Sequence, residues 1–210
     1  PRALSLNGEL GLSFGARGSG AANAHYESDE VVINLTKTRG AGSLAHEWWH
    51  AMDNYFLRKE GVAHGYATTM TASNMQPELA AAFKELTQAI DSSEFGHRSD
   101  LKGEYWGRMI EKPARLFGEW VVLKLEREHR SNHFLSRGVK TSAIDMYREL
   151  GYLYYKSKCE LKGIEPMDKE EFKQMPEALM DFPYPTPEEL ETLDDKVQAI
   201  FDNIRQEGTD

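Results

Sequence analysis

Apolar positions recur along this chain in two rhythms. Near the amino end, "ELGLSF" over residues 9–14 and "EVVINL" over 30–35 have the short apolar or alternating character of strands. In "AHYESDEVVINL" two such stretches flank Ser28 and Asp29, which predicts a hairpin with those residues at its turn. From residue 42 the spacing becomes helical. Ser43 stands where an N-cap is expected, ahead of a helix that runs to about residue 59 and is stopped by Gly61. Further helices are predicted over 77–90, 113–129, 141–158 and 188–205, separated by the loops "DSSEFGHRSDLKG", "RSNHFLSRG" and "MPEALMDFPYPTPEEL". A glycine-rich sheet region (1–41), a single helix (42–60) and a mainly helical remainder (61–210) make an α+β class in one domain.

Composition narrows the partners. At 210 residues and 40% hydrophobic, the chain can bury one sizeable core. Lys and Arg number 25 against 34 Asp and Glu, a net charge of −9, and no basic stripe is dense enough to neutralise phosphates. Nucleic acid is therefore not predicted as a partner. No apolar run approaches the ~20 residues that span a bilayer, and the start "PRALSLNGEL" lacks the apolar core of a signal peptide, so no membrane association is expected. Cys159 is the single cysteine, so no intramolecular disulfide can form; it reads as a spectator in a reducing compartment.

The chemistry is concentrated in "GSLAHEWWHAMDNYF", residues 42–56. Residues four apart on a helix differ by about 40° around its axis, so His46 and His50 project from one face, one turn apart. Two neutral imidazoles so placed can grip one Zn²⁺, and Glu47 between them can flank a metal-activated water as its base. With seven His and 23 Glu in the chain, chance supplies about 0.025 such H-E-x-x-H matches. Trp48 and Trp49 face away from the histidines, so the helix is expected to bury its back and present its front. Asp53 follows too closely to ligate and reads as an acceptor that orients a ligand imidazole.

A third ligand must come from elsewhere. His64 lies 14 residues after His50, beyond the short spacing of the three-histidine class. Glu111 and Glu119, in "EYWGRMIEKPARLFGEWVV", fall near one face of the third predicted helix, and spacing alone does not choose between them. Tyr105, or His64 with Tyr66, can donate to an oxyanion. Arg115 reads as an exposed helix residue or as a partner of Glu111 or of a substrate carboxylate. The tyrosines of "DMYRELGYLYYKSK" suit helix packing.

"AHYESDEVVINLTKTRGAGSLAHEWWHAMDNYF", "YWGRMIEKPARLFGEWV" and "FPYPTPEELETLDDKVQAIFDN" together resemble the zincin-like large polyvalent protein-associated domain of phage and plasmid polyvalent proteins, most specifically over 31–56. "ExxARxF" also resembles the third-ligand helix of gluzincins of the lethal-factor type. The resemblance implies a zincin-like fold and a zinc metallopeptidase in which Zn²⁺ is held by His46, His50 and Glu111. It implies Glu47 as general base, Tyr105 as the phenol beside the tetrahedral intermediate, and a protein or peptide substrate in the cytoplasm of a bacterial host. Two positions depart from the pattern. Trp49 replaces a small residue and is expected to narrow the cleft, while Pro113 requires Glu111 to stand at a helix start and keeps Glu119 in contention. "VVINLT" is expected to be the sheet edge that pairs with substrate. The alternative function is a zinc-binding protein-interaction module without turnover.

Overall fold

Three four-residue strands, Gly11–Phe14 (β1), Ala24–Glu27 (β2) and Val32–Leu35 (β3), form one sheet in a computed structural model of the chain that describes residues 5–15 and 23–207. The expected hairpin is present: β2 and β3 pair antiparallel across a turn at 28–31, with Glu27 opposite Val32 and Ala24 opposite Leu35. β1 pairs parallel to β3, Gly11 with Val32, so the strand order is β1-β3-β2. This corrects the reading of "VVINLT". β3 is the central strand with both edges occupied, and its side chains Ile33, Asn34 and Leu35 are buried, as befits a strand enclosed on both sides. Among the described strands, β1 and β2 are the ones with an edge to which a peptide could pair.

The helices are Leu44–Arg58 (α1), Pro77–Asp91 (α2), Glu94–Lys102 (α3), Glu104–Gly107 (α4), Glu111–Arg127 (α5), Thr141–Lys162 (α6), Lys169–Lys173 (α7) and Pro187–Glu207 (α8), with a 3₁₀ turn at Pro176–Leu179. The class is α+β. Ser43 occupies the N-cap of α1 but its hydroxyl makes no capping bond, because its backbone is already near-helical (φ −111°, ψ −3°) and the oxygen is not aimed at the first turn. The stretch 91–103, expected as a loop, is mostly α3. Its periodicity is hidden because the buried face carries Gly96, Arg98 and Ser99 beside a single apolar anchor, Phe95. Ser93 caps it by accepting from Gly96 N at 3.0 Å.

Trp49 decides how α1 sits. It is fully buried, edge-on to Phe83 of α2 and tilted against Phe117 of α5, while Trp48 lies beside Phe117 and Phe201 of α8. The expected narrowing of the cleft by Trp49 does not occur, because the ring belongs to the core. The tail 181–189 is clipped back onto the helices by cations. Arg98 donates to Phe182 O at 3.0 Å and to both oxygens of Glu189, Lys102 to Asp181 O at 2.6 Å, and Arg115 to Pro183 O at 3.1 Å. Arg115 is thus buried rather than exposed, with further bonds to Ser99 Oγ and Trp106 O. On α6, Tyr155 stacks on Phe172 and Tyr147 packs against Phe182, as expected of packing aromatics. Cys159 is buried and unpaired. No helix among the described residues is long and apolar enough to cross a membrane.

Candidate metal centre and cleft

The back of α1 is fixed by its tryptophans, so its front must present His46 and His50. Across from them begins α5. Pro113 lacks the N–H that an inner helical position would need, so the helix starts two residues before it, and Glu111 is its first residue. That start points the Glu111 carboxylate back at α1. His46 Nε2 and His50 Nε2 stand 3.2 Å apart, Glu111 Oε2 is 3.3 Å from His46 Nε2, and Glu111 Oε1 is 3.6 Å from His50 Nε2. Donors held at 2.0–2.1 Å around a tetrahedral ion stand roughly 3.3 Å from one another. Two imidazole nitrogens and a carboxylate from two helices therefore stand at about the separations that three ligands of such a site require. Among the described residues no other group of three or more His, Cys, Asp or Glu gathers this closely.

The donor chemistry fits a cation. Glu111 Oε2 is buried with no well-formed hydrogen bond. Burial opposes charge on Glu111, but bonding and attraction to His46 and His50 outweigh it and hold the carboxyl far below the ordinary range. Burial likewise disfavours a charged His50, and Glu111, with Glu47 and Asp53 behind it, reverses the balance and raises its pKa. The gap between the rings is thus a place where positive charge is stabilised. His46, His50 and Glu111 could hold Zn²⁺, whose preference for imidazole and carboxylate donors they match.

Glu47 is buried at the side of this group. Among the described residues it has no side-chain hydrogen-bond partner, and it lines a cleft of about 270 Å³ together with His46, Tyr105, Ser136 and Tyr184. Tyr105, on α4, is half exposed; burial of its hydroxyl and the adjacent charge of Glu111 raise its pKa, so it stays protonated. Tyr66 meets His50 edge-on at 6.3 Å between ring centroids, and burial followed by Asp53, Glu111 and Glu47 raises its pKa too. His64 is not at the cluster. It is exposed in the segment after α1 and rests against the hairpin turn, 3.0 Å from Ser28 Oγ and 3.5 Å from Asp29.

Two expectations are corrected here. Asp53 is fully buried but spends its oxygens on Thr68, accepting from the backbone N–H at 2.9 Å and the hydroxyl at 2.6 Å, while His50 Nδ1 has no hydrogen-bond partner. Asp53 therefore acts on His50 only through its charge; burial pushes its own pKa up to about 6. Glu119 is not brought to the histidines. Two turns along the same face of α5 from Glu111, it accepts from Val139 N at 2.8 Å and lines the far part of the cleft, where burial pushes its carboxyl up to about 7. Gly138, at φ 65°, makes the left-handed turn that presents Val139 N to it.

Sequence reasoning did not single out Gly118, Ser136 or Tyr184 as cleft residues. Ser136 and Tyr184 arrive from irregular segments, and the signal for Tyr184 was its place between Pro183 and Pro185, which stiffen the tail that Arg98 and Arg115 clip down. A larger cavity of about 360 Å³ lies behind α1 between the sheet and α5, lined by Leu10, Ile33, Leu44 and Trp48 among others. No ionisable side chain lines it, so the chemistry belongs to the smaller cleft.

Compared with known proteins, the chain matches the family described as large polyvalent protein-associated domain 1 over residues 97–208. The match takes in Tyr105, Glu111, Glu119 and the clipped tail. It does not extend to 31–56, where the sequence resemblance was expected to be most specific. Neither the curated proteins nor the solved structures give a match.

Proposed function

The chain belongs to the large polyvalent protein-associated domain 1 family, and from that premise and the gathered His46, His50 and Glu111 we propose that it is a zinc-dependent endopeptidase of the zincin-like, gluzincin type. The observation that carries the reading is a single one. An H-E-x-x-H pair and a glutamate from a separate helix converge on one gap, and the motif's own glutamate lines the adjoining cleft with no side-chain hydrogen bond among the described residues. His46, His50 and Glu111 would hold Zn²⁺. When bound, the ion supplies Lewis acidity that brings the pKa of water near neutrality.

The remaining work falls to the chain's own groups. Glu47 accepts the proton of the attacking water and returns it to the leaving amine. Tyr105, kept protonated beside Glu111, donates to the oxyanion of the scissile carbonyl, and Tyr66 is the second donor within the same surroundings. Asn23 and Ala24 line the cleft at the start of β2, an outer strand of the sheet, so β2 is the edge we assign to an extended substrate. The polyvalent-protein context supports a bacterial host protein as the proposed substrate and the host cytoplasm as the proposed place of action. Elemental analysis tests the foundation: one zinc per chain in the purified protein, lost in His46→Ala and in His50→Ala. Stoichiometric zinc in both variants would refute the ligand assignment.

A further inference from the structure

The cleft beside Glu47 continues away from the histidines into a space that the proposed hydrolysis does not use. Its walls are Gly118 and Glu119 of α5, Ser136, and Tyr184 of the clipped tail. We infer that this space is a subsite for a cationic nitrogen of the substrate, an ammonium or guanidinium, received by Glu119. The inference deepens the peptidase reading by naming a substrate class, and it rests on the cavity rather than on hydrolysis.

Charge is the first argument. Two carboxyl groups, Glu47 and Glu119, line the cleft, each with a residue exposure below 10%. Glu47 has no side-chain hydrogen bond among the described residues, and Glu119 uses only Oε2, on Val139 N, which leaves Oε1 for a ligand. Arg115 also contributes to the wall and keeps its charge, but it is not among the groups that act on the Glu119 carboxyl. Its Nε and Nη2 donate to Pro183 O, Ser99 Oγ and Trp106 O, which tie the guanidinium to the tail, α3 and α4, and its Nη1 is buried without a hydrogen-bond partner among the described residues. Arg137, whose stem crosses Gly42, is exposed and does not line the cavity. A buried carboxyl with one oxygen left over and, among the described residues, no cation paired with it is satisfied by a ligand that brings positive charge and N–H donors. The elevated pKa of Glu119 agrees, since it reports a carboxyl that lacks a countercharge.

Space is the second argument. Gly118 lies in the interior of α5, where glycine is unfavourable relative to alanine by about 1 kcal/mol. Packing does not require it: an added Cβ would meet nothing nearer than Ser136 Oγ at 3.7 Å. The methyl would instead project into the cleft beside Glu119. A helix that gives up stability where alanine fits is keeping room for something else.

Two sources of the cation are separable, a lysine or arginine side chain and a peptide's amino terminus. The experiment titrates zinc-loaded and metal-free protein, followed by amide NMR, with N-acetyl-lysine methylamide, norleucine methylamide and N-acetyl-norleucine methylamide, while mass spectrometry verifies that each probe stays intact. At least one cationic probe should bind 10-fold or more tightly than the neutral one, and which does so identifies the source. Glu119→Gln keeps an acceptor for Val139 N and should reduce that preference to within 2-fold. Gly118→Ala should raise the melting temperature while weakening the preferred probe at least 5-fold, a readout independent of how Glu119→Gln folds. Equal binding of all three probes, or a preference unchanged in both variants, overturns the subsite. Loss of the peptidase reading leaves the result interpretable, because no probe needs to be cleaved.

Discussion

Glu111, Glu119 and Glu47 are three buried carboxyl groups within one cleft region, and each should fail differently when altered. Glu111→Ala removes a charged donor from the metal group, so zinc should be lost together with activity. Glu119→Gln should retain the metal, since its carboxyl bonds Val139 N and not a histidine. Glu47→Gln should also retain zinc yet lose turnover by at least about 10²- to 10⁴-fold, because an amide cannot take the proton of water. Competitive chelator titration beside a peptidase assay separates the three; metal retained in Glu111→Ala and shed in Glu119→Gln would reverse the assignment by two turns of helix. For the oxyanion, Tyr105→Phe should lower kcat by about 10²- to 10³-fold with KM little changed. An equal loss in Tyr66→Phe alone would move the role to that phenol.

At the scale of elements, the site depends on how α1, α5 and the 181–189 tail are held. Arg98 is buried and bidentate on the part-buried Glu189 while also holding two tail carbonyls, so Arg98→Ala leaves that carboxylate with Thr186 N alone and should cost about 3 kcal/mol in chemical denaturation. A loss under about 1 kcal/mol would show that the tail is not clipped as described. Glu119 gives α5 a pH signature. Its folded pKa is raised to about 7 from an ordinary 4.5, so between those values the folded state keeps a proton that the unfolded chain has released. Stability is then fully present below about pH 4.5 and declines as pH rises toward 7, by up to about 1.4 kcal/mol per pH unit. Asp53, raised to about 6, contributes in the same direction. Metal-free Glu119→Gln should show a flatter decline than the metal-free parent in urea melts across pH 5 to 7, and identical slopes would contradict the burial of that carboxyl. The long helices were legible from apolar spacing and the start of α5 from Pro113. α3 was not, because its buried face is held by Arg98 and Ser99 rather than by a repeating apolar stripe. The place of β3 at the centre of the sheet was not either, since the parallel partner β1 lies some twenty residues before it.

Across the whole molecule, the sequence places His46, Glu47 and His50 together without help, because helix geometry alone puts them on one face. Bringing Glu111 to them and keeping Glu119 away needed the fold: Trp49 locks α1 against Phe83 and Phe117, and Pro113 sets where α5 begins. The same packing predicts that metal stabilises the domain but does not create it. Its core, from Ile33 through Trp49 and Phe83 to Ile200, is assembled without those ligands, so chelation should leave far-UV helicity intact and lower the melting temperature, with zinc at 100 times its Kd restoring about 2.7 kcal/mol. The proposed hydrolysis of peptide bonds in proteins is read out by identifying new amino termini in a bacterial lysate treated with the zinc-loaded protein or with zinc-loaded Glu47→Gln. A discrete set of new termini should appear with the parent protein and none with the variant. The same termini with both, or none with either, would contradict it.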